Sequence, residues 1–144
     1  MGLSLRDHDF VTIDHRLVEL GQGDFVGKSR SEIYSRTDVA RGLDADTWNF
    51  VPGDCVKGES QAAVASRMKQ WFDESVGKDR HGRIVAFTHG VAIKAFLAEI
   101  FCFEKSTAWK IPIDNTSVTI VRCSDDGEIS CVLQNDTSHL RLPP

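Results

Sequence analysis

His89 stands between Thr88 and Gly90, where the apolar run Ile84-Val85-Ala86-Phe87 gives way to a helical pattern beginning at Val91. In open α/β sheets, ligands bind beyond the carboxyl ends of strands, where helix N-termini present free N–H groups. An imidazole held there can donate to a phosphoryl oxygen, and Gly90 lets that oxygen approach the backbone. A histidine satisfied by hydrogen bonds inside a core would fit the same place, so position alone leaves both readings open. Other chemistries find less support. There is no Gly-x-Ser-x-Gly elbow and no Cys-x5-Arg loop, and Cys123, Cys131 and His139 lack the short paired spacing of a metal site. No metal and no cofactor is expected.

The elements that must position His89 can be read from periodicity. Residues 60–76 place Val64, Met68, Trp71 and Phe72 on one face of an amphipathic helix, with Gly77 as its stop. Residues 83–88, bounded by Gly82 and Gly90, fit a strand buried on both faces. Residues 91–103 read as a helix apolar around most of its girth, with Cys102 as a small core residue. Residues 117–123 alternate, Asp125-Asp126-Gly127 signals a turn, and residues 128–134 resume as a second strand, giving a hairpin. Earlier in the chain the signals are weaker. Residues 10–13 are strand-like, residues 29–36 form a short helix, and residues 38–58 are read as irregular. Helix, strand, turn, helix is the grammar of a layered α/β fold in a single domain, residues 1–144.

The segment Val85-Ala86-Phe87-Thr88-His89-Gly90-Val91-Ala92-Ile93-Lys94 resembles the second histidine motif of the histidine phosphatases, the phosphoglycerate-mutase-like superfamily. Four other segments resemble that family in the expected order. Leu17-Val18-Glu19, followed by Gly23 and Gly27, resembles its glutamate loop. Gly58-Glu59-Ser60, with Arg67 on the helix behind, resembles its mid-domain signature. Asp114-Asn115 opens a late strand, and Asn135 to Leu140 resembles the closing motif. The resemblance implies a helix–sheet–helix fold and phosphatase or mutase-type phosphoryl transfer. It implies that His89 stabilises the phosphoryl group in flight and that Glu19 is the general acid protonating the leaving oxygen. Gly90 and Asn115 would line the phosphate pocket. Glu59 lies near it, with binding and structural roles both open. His139 is expected to brace the C-terminal segment.

The family opens with a strand ending in Arg-His-Gly, whose histidine becomes phosphorylated, and nothing before Leu17 fits it. Arg80-His81-Gly82 spells the tripeptide but precedes the strand instead of closing it. His81 and His89 would then lie roughly 26 Å apart at about 3.3 Å per residue, too far to meet one phosphorus atom. His15, four residues from Glu19, would share a helix face with it, but the surrounding glycines argue against a helix. The expectation is a fold missing its first central strand and a chain inactive, or nearly so, by itself. A truncated gene product and a non-catalytic module that binds a phosphorylated ligand or a protein both remain open. An exposed sheet edge would favour self-association, with residues 10–13 as the one segment able to patch it.

Composition narrows the partners. A net charge of −4 gives no basic footprint for nucleic acid, and the family resemblance implies a phosphorylated small molecule or phosphoprotein as the ligand. No stretch approaches the roughly 18 apolar residues of a membrane span, and the first residues carry no signal-peptide core, so a reducing, cytoplasmic setting is expected. Cys123 and Cys131 flank the hairpin and are read as a reduced pair.

Overall fold

A computed structural model of the chain describes residues 11–51, 58–78 and 82–141. The helices among them are α1 (Arg30–Tyr34), α2 (Thr37–Asp46), α3 (Gln61–Lys78) and α4 (Gly90–Ile100). The strands β1 (Val118–Cys123) and β2 (Ile129–Asp136) form an antiparallel hairpin. Short 3-10 turns occupy His15–Leu17, Gly23–Phe25, Lys105–Lys110 and Ser138–Leu140.

The core lies between α3 and α4. Val64, Ala65 and Met68 of α3 meet Ala92, Ala95, Phe96, Leu97 and Ala98 of α4, all buried. Alanines at three-residue intervals give α4 a thin face, which lets α3 settle against it. Phe72 closes one end on Phe96, their ring centroids 5.3 Å apart, and Trp48 and Ala108 complete the cluster. Leu17 and Leu20 pack on its rim, which brings the glutamate loop to the start of α4. α3 runs through Gly77 to Lys78, one residue beyond the expected stop.

α4 ends three residues before the expected limit. Cys102 adopts φ +52, and the amide of Phe103 donates to the carbonyl of Ala98 at 3.0 Å. That is the left-handed closure with which helices satisfy their last carbonyls, here made without glycine. Cys102 is consequently exposed, not part of the core.

α2 replaces part of the segment expected to be irregular. Its one apolar stripe is short, with Val39 fully buried and Leu43 half-buried four residues on. Gly42 serves packing. A Cβ built there would come within 1.9 Å of the Phe50 ring, so its absence lets the ring approach the helix backbone. α1 was expected, and a reciprocal cap explains it: the Glu32 amide donates to Ser29 Oγ, and the Ser29 amide donates to the Glu32 carboxylate.

The hairpin matches the sequence pattern, turning at Gly127 with φ +87. Val121 stands opposite Cys131 and Cys123 opposite Ile129, so the two cysteines are diagonal rather than facing, and both are free thiols. Only Val121 of the hairpin packs on the core cluster.

Residues 83–88 correct the expectation of a strand buried on both faces. They are extended, yet none of their backbone groups pairs with another backbone group among the described residues. Ile84 is 52% exposed, Val85 75% and Phe87 91%. A strand apolar on both faces needs neighbours on both edges and a layer over each face. The described residues supply one two-stranded sheet, which pairs with itself. Residues 11–13 likewise form no strand, with Val11 and Ile13 exposed. Phe10 and the Arg80-His81 pair lie outside the described residues, as does Cys55. No helix among the described residues is long and apolar enough to cross a membrane.

Candidate functional site

Glu19 belongs to a non-helical segment that is tied down residue by residue. The Asp14 carboxylate accepts the amide of Arg16 at 2.9 Å, starting the 3-10 turn, and pairs with the Arg16 guanidinium at 2.6 Å. That hydrogen-bonded guanidinium holds the Asp14 carboxyl at a pKa of about 2. Arg16 also reaches Glu74 on α3 at 2.7 Å, so the turn is fixed to the helix. The turn ends at Leu17, so His15 and Glu19 share no helical face.

Arg67 holds the rest of the segment. From α3 its guanidinium donates to the carbonyls of Arg16 at 2.7 Å and Glu19 at 3.1 Å. It grips Glu59 through both carboxylate oxygens, at 2.9 and 3.0 Å. Glu59 in turn accepts the amide of Gly21 at 2.9 Å, and its own amide donates to the Gly21 carbonyl at 2.8 Å. The hydrogen bond from Arg67, with the Gly21 amide beside it, keeps the Glu59 carboxyl below its ordinary range. Both Glu59 oxygens are therefore occupied. The structure shows this residue in a positioning task, the structural one of the two roles left open for it.

So anchored, Glu19 meets the start of α4. Its Oε2 accepts the Val91 amide at 3.2 Å, while Oε1 accepts those of Ala92 at 3.1 Å and Leu20 at 2.8 Å. Amides in the first turn of a helix have no intrahelical partner, and a carboxylate is the favoured group to meet them. The N-cap of α4 is His89, whose side chain makes no capping bond, so Glu19 caps the helix from a distant part of the chain. A second stitch lies one residue before the histidine, where the Thr88 hydroxyl donates to the Leu17 carbonyl at 2.7 Å.

His89 itself is exposed, in extended backbone, with its carbonyl accepting the Ile93 amide at 3.0 Å. The space above Gly90 is open, since a Cβ built there meets no atom within 4 Å. Beside this helix start lies a cleft of about 370 Å³ lined by Gln61, Val91, Lys94 and Trp109. The Lys94 ammonium donates to the Trp109 carbonyl at 3.0 Å, holding one wall. Among the described residues no group of His, Cys, Asp or Glu side chains is arranged to hold a metal ion.

Glu19, His89 and Gly90 are thus brought together, and Glu59 stands behind them. Asn115 is not joined to this group. It occupies an exposed turn before β1, where its carbonyl accepts the Thr116 hydroxyl. The neighbouring bonds belong to Asn135, whose side chain ties to the amide and carboxylate of Asp114 at 2.6 and 2.9 Å. His139 is exposed in the last 3-10 turn. Sequence reasoning missed the anchoring work of Asp14, Arg16 and Thr88. Thr88 and Arg16 reach Leu17 and Glu74 far along the chain, which leaves no local pattern, whereas the Asp14–Arg16 pair, two residues apart, was a local signal that could have been read.

Comparison with known proteins matches the histidine phosphatase superfamily (branch 1) to residues 5–137. No curated protein sequence gives a significant match. Among solved structures, Bacillus stearothermophilus YhfR superposes with a TM-score of 0.76 at 26% identity, over 89% of this chain and 62% of that one. A mycobacterial glucosyl-3-phosphoglycerate phosphatase in complex with inorganic phosphate gives 0.71 at 22%, over 87% and 64%. An Entamoeba histolytica phosphoserine phosphatase in complex with 3-phosphoglyceric acid gives 0.68 at 20%, over 85% and 60%. The chain therefore spans less than two thirds of the length of each of these structures while sharing their phosphoglycerate-mutase-like fold. On the family match across nearly its whole length, the chain belongs to the histidine phosphatase superfamily, branch 1.

Proposed function

We propose that the segments around Glu19 and His89 form the acid-and-second-histidine part of a phosphoryl-transfer site of phosphatase or mutase type. His89 stabilises the phosphoryl group, Glu19 protonates the leaving oxygen, and the open space over Gly90 admits the phosphate. One observation carries this reading: the Glu19 carboxylate is bonded to the amides of Val91 and Ala92, which puts the acid at the helix N-terminus whose N-cap is His89. The cleft beside it has room for the alcohol part of a small phosphomonoester. Two of the structural relatives are named for such substrates, which supports a small phosphorylated molecule over a phosphoprotein.

An entering phosphate competes with the Glu19 carboxylate for the same amides. Two anions that close repel by about 4 kcal/mol at an effective dielectric of 20, so one must give way. The phosphoryl group takes the amides, and Glu19 turns to the leaving oxygen.

Turnover needs more than these groups. Phosphohistidine chemistry requires a second imidazole at the same phosphorus and cations over the oxyanions. Among the described residues no other histidine is joined to this site, and Arg67 already serves Glu59 and two carbonyls. We therefore infer that the chain alone binds phosphate and turns it over at or near the blank rate. The same engagement of Arg67 favours a second reading, a non-catalytic module for a phosphorylated ligand.

Titration calorimetry with inorganic phosphate, beside turnover of p-nitrophenyl phosphate, tests the site. Phosphate should bind to the wild-type chain, about tenfold more weakly to His89→Ala through loss of one charge-assisted hydrogen bond, and several-fold more tightly to Glu19→Gln. No phosphate binding by the folded chain would end the site reading. Turnover that disappears in both variants would show that the chain holds a nucleophile and would overturn its inactivity.

A further inference from the structure

We propose, resting on the phosphoryl-transfer reading of the site, that Lys94 is a specificity-determining residue. On this proposal the cleft beside the start of α4 takes a phosphomonoester whose alcohol part carries a carboxylate, and the Lys94 ammonium receives it. Lys94 lines that cleft together with Gln61, Val91 and Trp109. Three residues apart, Val91 and Lys94 share a helix face, separated by about 4.5 Å along the axis at 1.5 Å per residue. Helix side chains lean back toward the N-terminus. The ammonium therefore serves the same end of α4 as the amides of Val91 and Ala92, which already hold an anion, the Glu19 carboxylate.

The charge of this lysine is unspent. Lys69, Lys78 and Lys105 each pair with a carboxylate, of Asp73, Glu74 and Glu99 in turn. The Lys94 ammonium has no carboxylate partner among the described residues, and donates to the Trp109 carbonyl at 3.0 Å. An ammonium carries three donors, so two remain for a ligand. The bond to Trp109 keeps the cation at the cleft, where a surface lysine would otherwise extend into water.

The other described walls fix what the cation can balance, because none of them is charged. Trp109 gives its indole N–H to the Ser106 carbonyl at 3.1 Å, which holds the half-exposed ring as an apolar side. Gln61 gives its amide to the Thr47 carbonyl at 3.3 Å. Lys110 lies over the Trp109 ring, 5.5 Å from its centroid, and is not among the cleft residues. One cation between neutral walls suits a single negative charge. A second phosphate would bring close to two charges against that one cation, in a chain whose net charge is already −4.

Titration calorimetry of the whole chain with inorganic phosphate, glycerol 3-phosphate and 3-phosphoglycerate, at fixed ionic strength, tests this. The two organic phosphates differ in one group, a hydroxymethyl against a carboxylate. We expect 3-phosphoglycerate to bind about tenfold more tightly than glycerol 3-phosphate, the worth of one charge-assisted hydrogen bond in an open cleft. In Lys94→Gln, which keeps a donor but loses the charge, the ratio should fall to within about twofold. Lys69→Gln, on α3 and outside this cleft, should keep the wild-type ratio. A ratio taken within one variant is independent of how much of that variant is folded. Equal binding of the two organic phosphates by the wild-type chain, with inorganic phosphate still bound, would overturn this proposal and leave the site reading standing. A preference that survives in Lys94→Gln would also overturn it, by placing the carboxylate on another cation such as Lys110. Failure of all three ligands to bind would end the site reading and this proposal with it.

Discussion

Two irregular segments converge on the start of α4, and they are held in opposite ways. The segment around Glu19 has hardly a loose group: Asp14, Arg16, Thr88, Arg67 and Glu59 bond its side chains, amides and carbonyls. Residues 83–87 lead into His89 from the other side with no backbone bond to another described residue, and Ile84, Val85 and Phe87 are left in water. The first segment depends on polar bonds to α3, which the chain contains. The second has the composition of a buried strand, where each such side chain would stabilise by about 1.5–3 kcal/mol once covered. The acid of the site is therefore preorganised by bonds to α3 and α4, whereas the approach to the histidine is held at Thr88 alone among the described residues.

The contrast can be broken most strongly at Arg67. Arg67→Met removes the hydrogen bonds to two carbonyls and leaves the Glu59 carboxylate partly buried without its cation. We expect a loss of about 2–3 kcal/mol in urea unfolding and, by hydrogen exchange, release of the Gly21 amide. A loss below about 0.5 kcal/mol would mean that the segment is held by its apolar contacts, Leu17 and Leu20, instead.

Glu19→Ala should cost about 1 kcal/mol, the usual penalty for removing a helix cap, because Val91 and Ala92 lose their acceptor. Glu19→Gln should cost less, since the amide oxygen still accepts. An acid that served chemistry alone would give no stability change in either variant.

Acid sharpens the same comparison. Asp14 and Glu59 both have folded pKa values below their unfolded ones. Their contribution is fully present above the ordinary carboxylate range and is lost as pH falls through the depressed values, which for Asp14 is about 2. Protection of the Gly21 amide should therefore hold at pH 5 and fade toward pH 2. Amides of residues 84–87 in dilute solution should be unprotected throughout, as that stretch carries no carboxylate.

The smallest effect is expected at Phe87. Phe87→Ser should change the stability of the dilute chain by less than about 0.5 kcal/mol, as at other exposed positions, although the same change in a covered strand costs several. A large loss would show that this ring is buried in solution.

Periodicity made α3 and most of α4 legible, because their buried positions recur at the helical interval, and the hairpin was legible from its alternation and its Asp125-Asp126-Gly127 turn, although only Val121 of it reaches the core. α2 was hidden, since only Val39 and Leu43 mark its inner face, and Gly42, a poor helix former, is there to accommodate the Phe50 ring. Residues 83–88 read as a covered strand because composition reports what a segment would bury, not whether anything is there to cover it.

For the site, residue types and spacing alone determined that His89 ends an apolar run and opens a helix, while Glu19 was joined to it only by what the family resemblance implies. Only the tertiary structure decided how they meet. Glu19 caps α4 from some seventy residues away, Glu59 turned out to be a strut gripped by Arg67, and Asn115 was left in an exposed turn. Each of these rests on bonds to backbone groups or to residues far along the chain. Every residue carries the same amide and carbonyl, so the sequence cannot mark which of them a folded segment will bring within 3 Å of a carboxylate.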